Sequence, residues 1–439
     1  MVGVLLTNAL LLALLGWWLR HVYRQASPEL QPWLLPALGW RLLFTAAAVY
    51  WPSMDAQHAS FQGQNIAARL VAHPAAALAQ LQQPYFYYHP TGPGELVFRW
   101  SQTLFFDKLI ALLDLLSGGS LSLNGFYFSM GCFVGCWSLV VVLRRVLPQA
   151  PLSAALAAFL FWPTVLWWTA GLNKETVLVG AGTGILALAL PLLYQPETQP
   201  WPSWLRLAWR LLVLGLLAWL MTRVRYFFTL PLLGGLVALA ATQATTRRGW
   251  LGRGWLAQAA GLLLGLALLL GVAKALGGEQ MTEAYFVREV NLNYHHGLIT
   301  SDGRPHIEYA SWQPTVAGLL ARAPLAVVET LVRPWPGESA LPLYVGAGLE
   351  NVLLVLLVVG ALWRVARGRP GPLPVGLVLV LVLYCLLLAA FTGLSTPNLG
   401  TLNRYRIVLA PWLLWLTMSS LAVADQVVDG RKREHSLES

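Results

Sequence analysis

Eight ionisable side chains fall in short polar islands between apolar runs, and their types suit the handling of a phosphorylated substrate. Asp55, in YWPSMDAQHASFQG, stands about four residues past an apolar run. A partly buried carboxylate there can serve as a general base, because burial moves its pKa toward neutrality. The plainer account is a helix-start aspartate. His58 follows three residues later and shares the Asp55 face if the segment is helical. Lys174 and Glu175 interrupt WWTAGLNKETVLVG. Glu175 suits the positive end of a helix, whereas Lys174 is unfavourable there unless it faces an anion. Arg223 and Arg225 in LMTRVRYFFTLP, and Arg404 and Arg406 in LNRYRIVLAP, break two further apolar runs. Guanidinium forks bind phosphate through paired, charge-assisted hydrogen bonds. Snorkelling to lipid head groups is the alternative for each pair.

A second set lies later in the chain. EAYFVREVNLNYHHGLITSDGRPHIEY holds His295, His296 and His306 near Glu289, Asp302 and Glu308. Their spacing matches no familiar zinc pattern, and no metal or cofactor is expected. Beyond it, RPWPGES places Arg333 and Glu338 where they can pair, with Trp335 between them as a ring that could stack on a sugar. Cys132, Cys136 and Cys385 lie inside apolar runs and read as small buried hydrophobes. The chain has no GxxxxGK[ST] loop, GxSxG elbow or HExxH pair, which argues against a nucleotide-driven pump or a soluble-type hydrolase.

The elements that must position these residues are membrane helices. Of 439 residues, 57% are hydrophobic and 11% charged, against roughly 25% charged in soluble domains. Apolar runs of about 18 to 24 residues recur, long enough to cross roughly 30 Å of hydrocarbon. The expected fold is all-α: a polytopic transmembrane bundle forming a single membrane domain. Some eleven spans are expected, at about 2–19, 33–51, 123–143, 152–169, 175–194, 204–222, 226–243, 255–276, 343–363, 373–392 and 407–425. The apolar N-terminus has no basic region before it and no cleavage motif, so it reads as a retained span.

With the N-terminus outside, the basic clusters fall on the cytoplasmic face. They are Arg20 and Arg24; Arg144 and Arg145; Arg206 and Arg210; Arg247, Arg248 and Arg253; Arg364, Arg367 and Arg369; and Arg431, Lys432 and Arg433. This explains the net charge of +10 without a nucleic-acid partner. The external face receives long loops at 52–122 and 277–342, together with the short connections bearing Lys174, Arg223, Arg225, Arg404 and Arg406. Short basic connections on that side run against the positive-inside rule, which suggests a use for them. Segments 59–82 and 98–119 carry apolar stripes and read as interfacial helices. The second contains Asp107, Lys108 and Asp114. Residues 82–95, rich in Pro, Gly and aromatic rings, read as an ordered loop.

FWPTVLWWTAGLNKE, RVRYFF, TLVRPWPGES and GTLNRYRIVLAPWLL together resemble an uncharacterised group of bacterial membrane proteins. The organisation also resembles the GT-C superfamily of polyprenyl-phosphate-sugar glycosyltransferases. That resemblance implies a bacterial inner-membrane enzyme with an external site. It would use a polyprenyl-phosphate-linked sugar, a membrane lipid partner, and a glycan, lipid or protein acceptor. By position, it makes Asp55 the catalytic base and Lys174, Arg223, Arg225, Arg404 and Arg406 the phosphate ligands. His58, Glu175, His296, Arg333, Trp335 and Glu338 are further substrate-binding candidates. The paired acidic motif of many such enzymes is absent beside Asp55. Two other readings stand. An O-antigen polymerase or ligase-like enzyme would rely on Arg288, His296 and Arg322 in the late loop. A non-enzymatic lipid or polysaccharide transporter would need a polar path, for which Arg41 is the mid-span residue.

Overall fold

The computed structural model describes residues 2–77, 85–88, 95–98, 102–194, 204–252, 254–276, 282–310 and 312–422. Arg253, the Arg431–Arg433 cluster and parts of segments 59–82 and 82–95 lie outside these residues. Nearly all of the described chain is helical. The helices are α1 (Val2–Gln25), α2 (Gln31–Tyr50), α3 (Met54–Ala72), α4 (Gln102–Ser117), α5 (Leu121–Val146), α6 (Leu152–Leu156), α7 (Pro163–Thr169), α8 (Lys174–Tyr194) and α9 (Trp204–Arg247). They continue with α10 (Trp255–Leu276), α11 (Glu283–Ile299), α12 (Val316–Val332), α13 (Pro342–Ala366), α14 (Val375–Ser395), α15 (Leu399–Arg406) and α16 (Ala410–Leu421). One feature departs from an all-helical chain. In the first long loop, β1 (Tyr85–Tyr88) pairs antiparallel with β2 (Glu95–Phe98).

Among the described residues, seven helices are long and apolar enough to cross a membrane: α1, α2, α5, α8, α9, α13 and α14. Three departures from the expected spans have local causes. The run 152–169 is broken by a π-helical turn at Ala157–Phe161 and bends by 41° before Pro163. Trp162 takes extended backbone there (φ −69°, ψ 119°), as a residue before proline tends to do. Counted as one crossing, this bent pair makes an eighth. Residues 204–222 and 226–243 are two helices that meet at a kink without a loop, together making the 44 residues of α9. At about 1.5 Å per residue it is roughly twice as long as the hydrocarbon is thick. Its one non-helical residue is Arg225 (φ −159°, ψ 96°), at the expected connection. Finally, the connection 395–406 is itself helical over α15, leaving twelve residues in α16.

The chain groups into two compact units. The first comprises Met1–Val141, Val165–Leu188 and Trp201–Thr229; the second comprises Val142–Thr164, Ala189–Pro200 and Leu230–Ser439.

In the first unit, α3 packs on α4. The Ser53 hydroxyl caps α3 by accepting from Ala56 N at 3.1 Å. Ala56, Ala59, Gly63, Ile66 and Ala67 recur at helical spacing and form the buried face of α3. A Cβ on Gly63 would lie 2.5 Å from Ile110 of α4, so only glycine permits this approach. Helices α5 and α8 meet just as closely, with Gly135 against the Gly180 carbonyl. Small residues at such crossings let membrane helices pack backbone to backbone.

In the second unit, α11 and α12 cover α14. Gly393 of α14 lies directly on Ala326 and Thr330 of α12. Tyr294, Tyr309 and Trp312 form a ring stack, with Tyr294 and Trp312 centroids 4.2 Å apart. Asn398 caps α15 by accepting from Thr401 N and donates to Ser301 at 2.9 Å. It also pairs with His306 in a single antiparallel bridge, closed by Ile307 N donating to Pro397 O at 2.9 Å. Trp412 of α16 meets Phe159 of the π-helical turn edge-on at 5.3 Å.

A Cβ on Gly180 would lie 2.8 Å from Cys132 Cα. Gly180→Val is therefore expected to destabilise the protein by about 1–3 kcal/mol through overpacking. Gly131→Ala meets nothing within 4 Å and should be neutral or stabilising by up to about 1 kcal/mol. Thermal midpoints in detergent distinguish the two; equal losses would show that helix contact is not what Gly180 supplies.

Candidate functional site

Six of the sequence candidates lie in the first unit. Asp55 sits in the first turn of α3, exposed, as a helix-start carboxylate does. His58, one turn on, is also exposed and faces Gln62 at 3.5 Å. The starts of α3 and α8 lie side by side, because Ser53 Oγ contacts Asn173 Oδ1 at 3.5 Å. Lys174 therefore begins α8 one residue after a contact whose other partner, Ser53, lies two residues before Asp55. Gly171 turns the chain into α8 with φ +77°, a conformation open to glycine at little cost.

Lys174 reaches across to α4. Its Nζ donates to Thr103 Oγ1 at 2.9 Å and lies 6.0 Å from the centre of the Phe106 ring. One turn further along α4 is Asp107, only 6% exposed. Burial raises its carboxyl pKa to about 7, with Lys174 pulling the other way. Burial also raises the pKa of Asp114, against a 2.6 Å hydrogen bond from Asn124. Arg223 packs its guanidinium 5.0 Å from the Phe105 ring, on the same turn of α4. Thus Phe105 and Phe106 each carry a cation, and Thr103 and Asp107 flank them.

Glu175 and Arg225 have a different part. Both are buried, and Arg225 Nη2 lies 3.8 Å from Glu175 Oε1. Arg225 also lies 5.8 Å from the Phe227 and Phe228 ring centres. This pair neutralises itself where α9 breaks.

Arg41 is buried in the same unit and anchors α2. Its Nε donates to Ser129 Oγ at 2.8 Å and its Nη1 to Thr169 Oγ1 at 2.7 Å. Its Nη2 donates to the carbonyls of Thr169 and Ser129. Those acceptors tie α2 to α5 and to the end of α7. Cys132 and Cys136 lie 4.0 Å apart on α5, both buried.

The second unit holds the remaining candidates. Arg406 is 2% exposed, and its guanidinium is committed to Thr330 O, Arg333 O and the side chain of Asn403. Burial lowers its pKa to about 10, opposed by the charge of Glu350, so it stays cationic near neutrality. Arg333 donates to Glu338 at 2.7 Å and to His306 O at 3.2 Å, and lies 3.6 Å from Glu329. The pairing of Arg333 with Glu338 expected from the sequence is present. Asn351 of α13 clamps the same segment by donating to Pro334 O at 2.8 Å. Trp335 remains 41% exposed. Arg404 is half-buried, 5.3 Å from the Tyr405 ring centre, and His296 is exposed on α11.

Sequence reasoning placed Asp107 on an interfacial helix without assigning it to the site. The available signal was the spacing of Thr103 and Asp107, four residues apart and so on one helix face. Thr164 and Glu350 were also missed; Thr164 Oγ1 donates to Glu350 Oε2 at 2.6 Å. Among the described residues, no three His, Cys, Asp or Glu side chains gather as a metal site.

Two predictions follow the two units. The fold holds the Asp107 proton to about pH 7, whereas the ordinary value is 3.8. The stability this contributes is complete below about pH 4 and is lost as pH rises through 7. Asp107→Asn should remove that slope, worth on the order of 4 kcal/mol at most; thermal midpoints between pH 4 and 8 measure it. Arg406→Lys should cost about 1–3 kcal/mol, because an ammonium cannot serve all the acceptors a fork reaches. An unchanged midpoint would remove Arg406 from its structural role. Compared with known protein families, with curated proteins and with solved structures, the chain shows no match.

Proposed function

We propose that the chain is a GT-C-like membrane glycosyltransferase. In this reading it moves a sugar from a polyprenyl-phosphate donor to an acceptor at the external face of a bacterial cytoplasmic membrane. The eleven-span topology, N-terminus outside and C-terminus cytoplasmic, belongs to the same reading. It rests on the basic clusters of alternate connections. The observation that carries the proposal is the group at the start of α8. Lys174 is anchored on Thr103 beside the buried Asp107, and Arg223 stands on the adjoining ring. Cations beside a helix start favour an anion with one face toward lipid.

The chemistry runs as follows. Lys174 and Arg223 hold the donor phosphate, and an apolar chain tail lies along the exposed leucines and tryptophans of the bundle. The acceptor oxygen attacks the sugar carbon while its proton passes to a carboxylate, for which exposed Asp55 is the candidate. The carbon–oxygen bond to phosphate breaks, and the cations stabilise the charge that grows on the leaving group. Arg225, Glu175 and Arg406 support the frame rather than touch the donor, since their charged groups are already engaged.

A specific feature favours the second reading, a polymerase or ligase acting on lipid-diphosphate-linked glycans. In the second long loop a groove of about 490 Å³ is lined by Glu283, Arg288, Asn291 and Thr315. The two readings separate in a transfer assay with purified protein. Under the first, Lys174→Met raises the donor KM at least tenfold and Asp55→Asn lowers kcat by about 10²–10⁴, while Arg288→Ala has little effect. The reverse pattern supports the polymerase reading. Full activity in Asp55→Asn removes Asp55 from the mechanism.

A further inference from the structure

The group at Lys174 contains a buried carboxylate whose hydrogen bonding is incomplete among the described residues. Asp107 lies one turn beyond Thr103 on α4, is buried, and its Oδ1 accepts no hydrogen bond among the described residues. Lys174 is the charge that acts on it. The same ammonium is held by Thr103 and is half-exposed, so it is also the group an anion would reach first. We infer that binding of a phosphodiester anion at Lys174 is coupled to uptake of one proton by Asp107. The inference rests on the reading of Lys174 as a phosphate ligand and adds its regulation.

The physical argument is competition for one cation. With the site empty, an ionised Asp107 uses the field of Lys174 as its compensation. A bound phosphodiester takes that compensation and adds a second negative charge close by. Two anions sharing one half-exposed ammonium, one of them a buried carboxylate, are unfavourable, and the carboxylate relieves the conflict by accepting a proton from solvent. The phosphodiester cannot do so, because it carries one charge across the working range. The carboxyl is raised to about 7 by burial, so the exchange falls near neutral pH.

The surrounding elements leave this pairing in place. On α8, Glu175 is matched by Arg225. Arg223 of α9 is seated on Phe105. On α5, Asn124 serves Asp114, and Tyr127 donates to Asn8 of α1. Helix α3 brings Asp55, His58 and Arg69, and α4 itself adds Lys108. His58 is exposed and set toward Gln62.

The test uses the full chain in lipid nanodiscs and a synthetic polyprenyl-phosphoryl-hexose, a phosphodiester that does not titrate between pH 5 and 9. Affinity should be highest below pH 7 and fall about tenfold between pH 6 and 8, as linkage to one proton requires. Calorimetry on the unmodified protein, in two buffers of different ionisation enthalpy, should show net proton uptake at pH 7. Asp107→Asn should bind with the low-pH affinity at every pH and take up no proton. Lys174→Met should bind weakly throughout, with the slope lost. A flat profile in the unmodified protein, or an equal slope in Asp107→Asn, overturns the coupling and leaves the donor reading standing. Absence of binding at every pH overturns both.

Discussion

A charge inside an apolar bundle has to be answered at close range, because neither lipid nor packed side chains offer water to solvate it. Much of this structure is organised by that requirement. Arg41 is answered by neutral oxygens of Ser129 and Thr169, Arg225 by the carboxylate of Glu175, and Arg406 by two carbonyls and Asn403. Each answer fixes helices that are distant in sequence. Arg41 joins α2, α5 and α7, and Arg406 joins α15 to the end of α12. The cations that interrupt the apolar pattern are thus, in three cases, fasteners.

Lys174 is answered differently. Its contacts include the Thr103 hydroxyl, the Phe106 ring at 6.0 Å and the field of the Asp107 carboxyl, which burial keeps close to neutral. These are weak and adjustable compared with a carbonyl cage. The same comparison separates Arg223, resting on a ring, from Arg225, buried against Glu175 two residues later. Two arginines two residues apart can therefore sit in different settings, one against a ring and one against a carboxylate.

The helical class and most helices were legible in the sequence, because a long apolar run in so uncharged a chain has few other solutions. Residues 152–169 show what was not legible. Hydropathy averages over a window, whereas Pro163 and the π-helical turn act on single hydrogen bonds. Arg225 was correctly read as an interruption between two helices, though a kink rather than a loop makes it. At the site, Lys174 was legible as an anomaly and Glu175 as a helix-start acid. Asp107 was not, because its importance comes from burial and from the approach of Lys174 across 67 residues of chain. Neither leaves a local signature. Arg406 was misleading for the same reason: sequence shows a guanidinium but not the carbonyls that occupy it.

Asn398 makes three connections at once: the cap of α15, the hydrogen bond to Ser301 and the bridge to His306. Together with the Tyr294, Tyr309 and Trp312 stack, it fastens the described part of the second long connection to the helix that follows α14. That connection is consequently scaffold. Its conformational entropy is lost on folding rather than on recognition. A molecule that settles against Trp335 or α11 meets a surface already in its final shape, and the affinity it gains there is not reduced by the cost of ordering a loop.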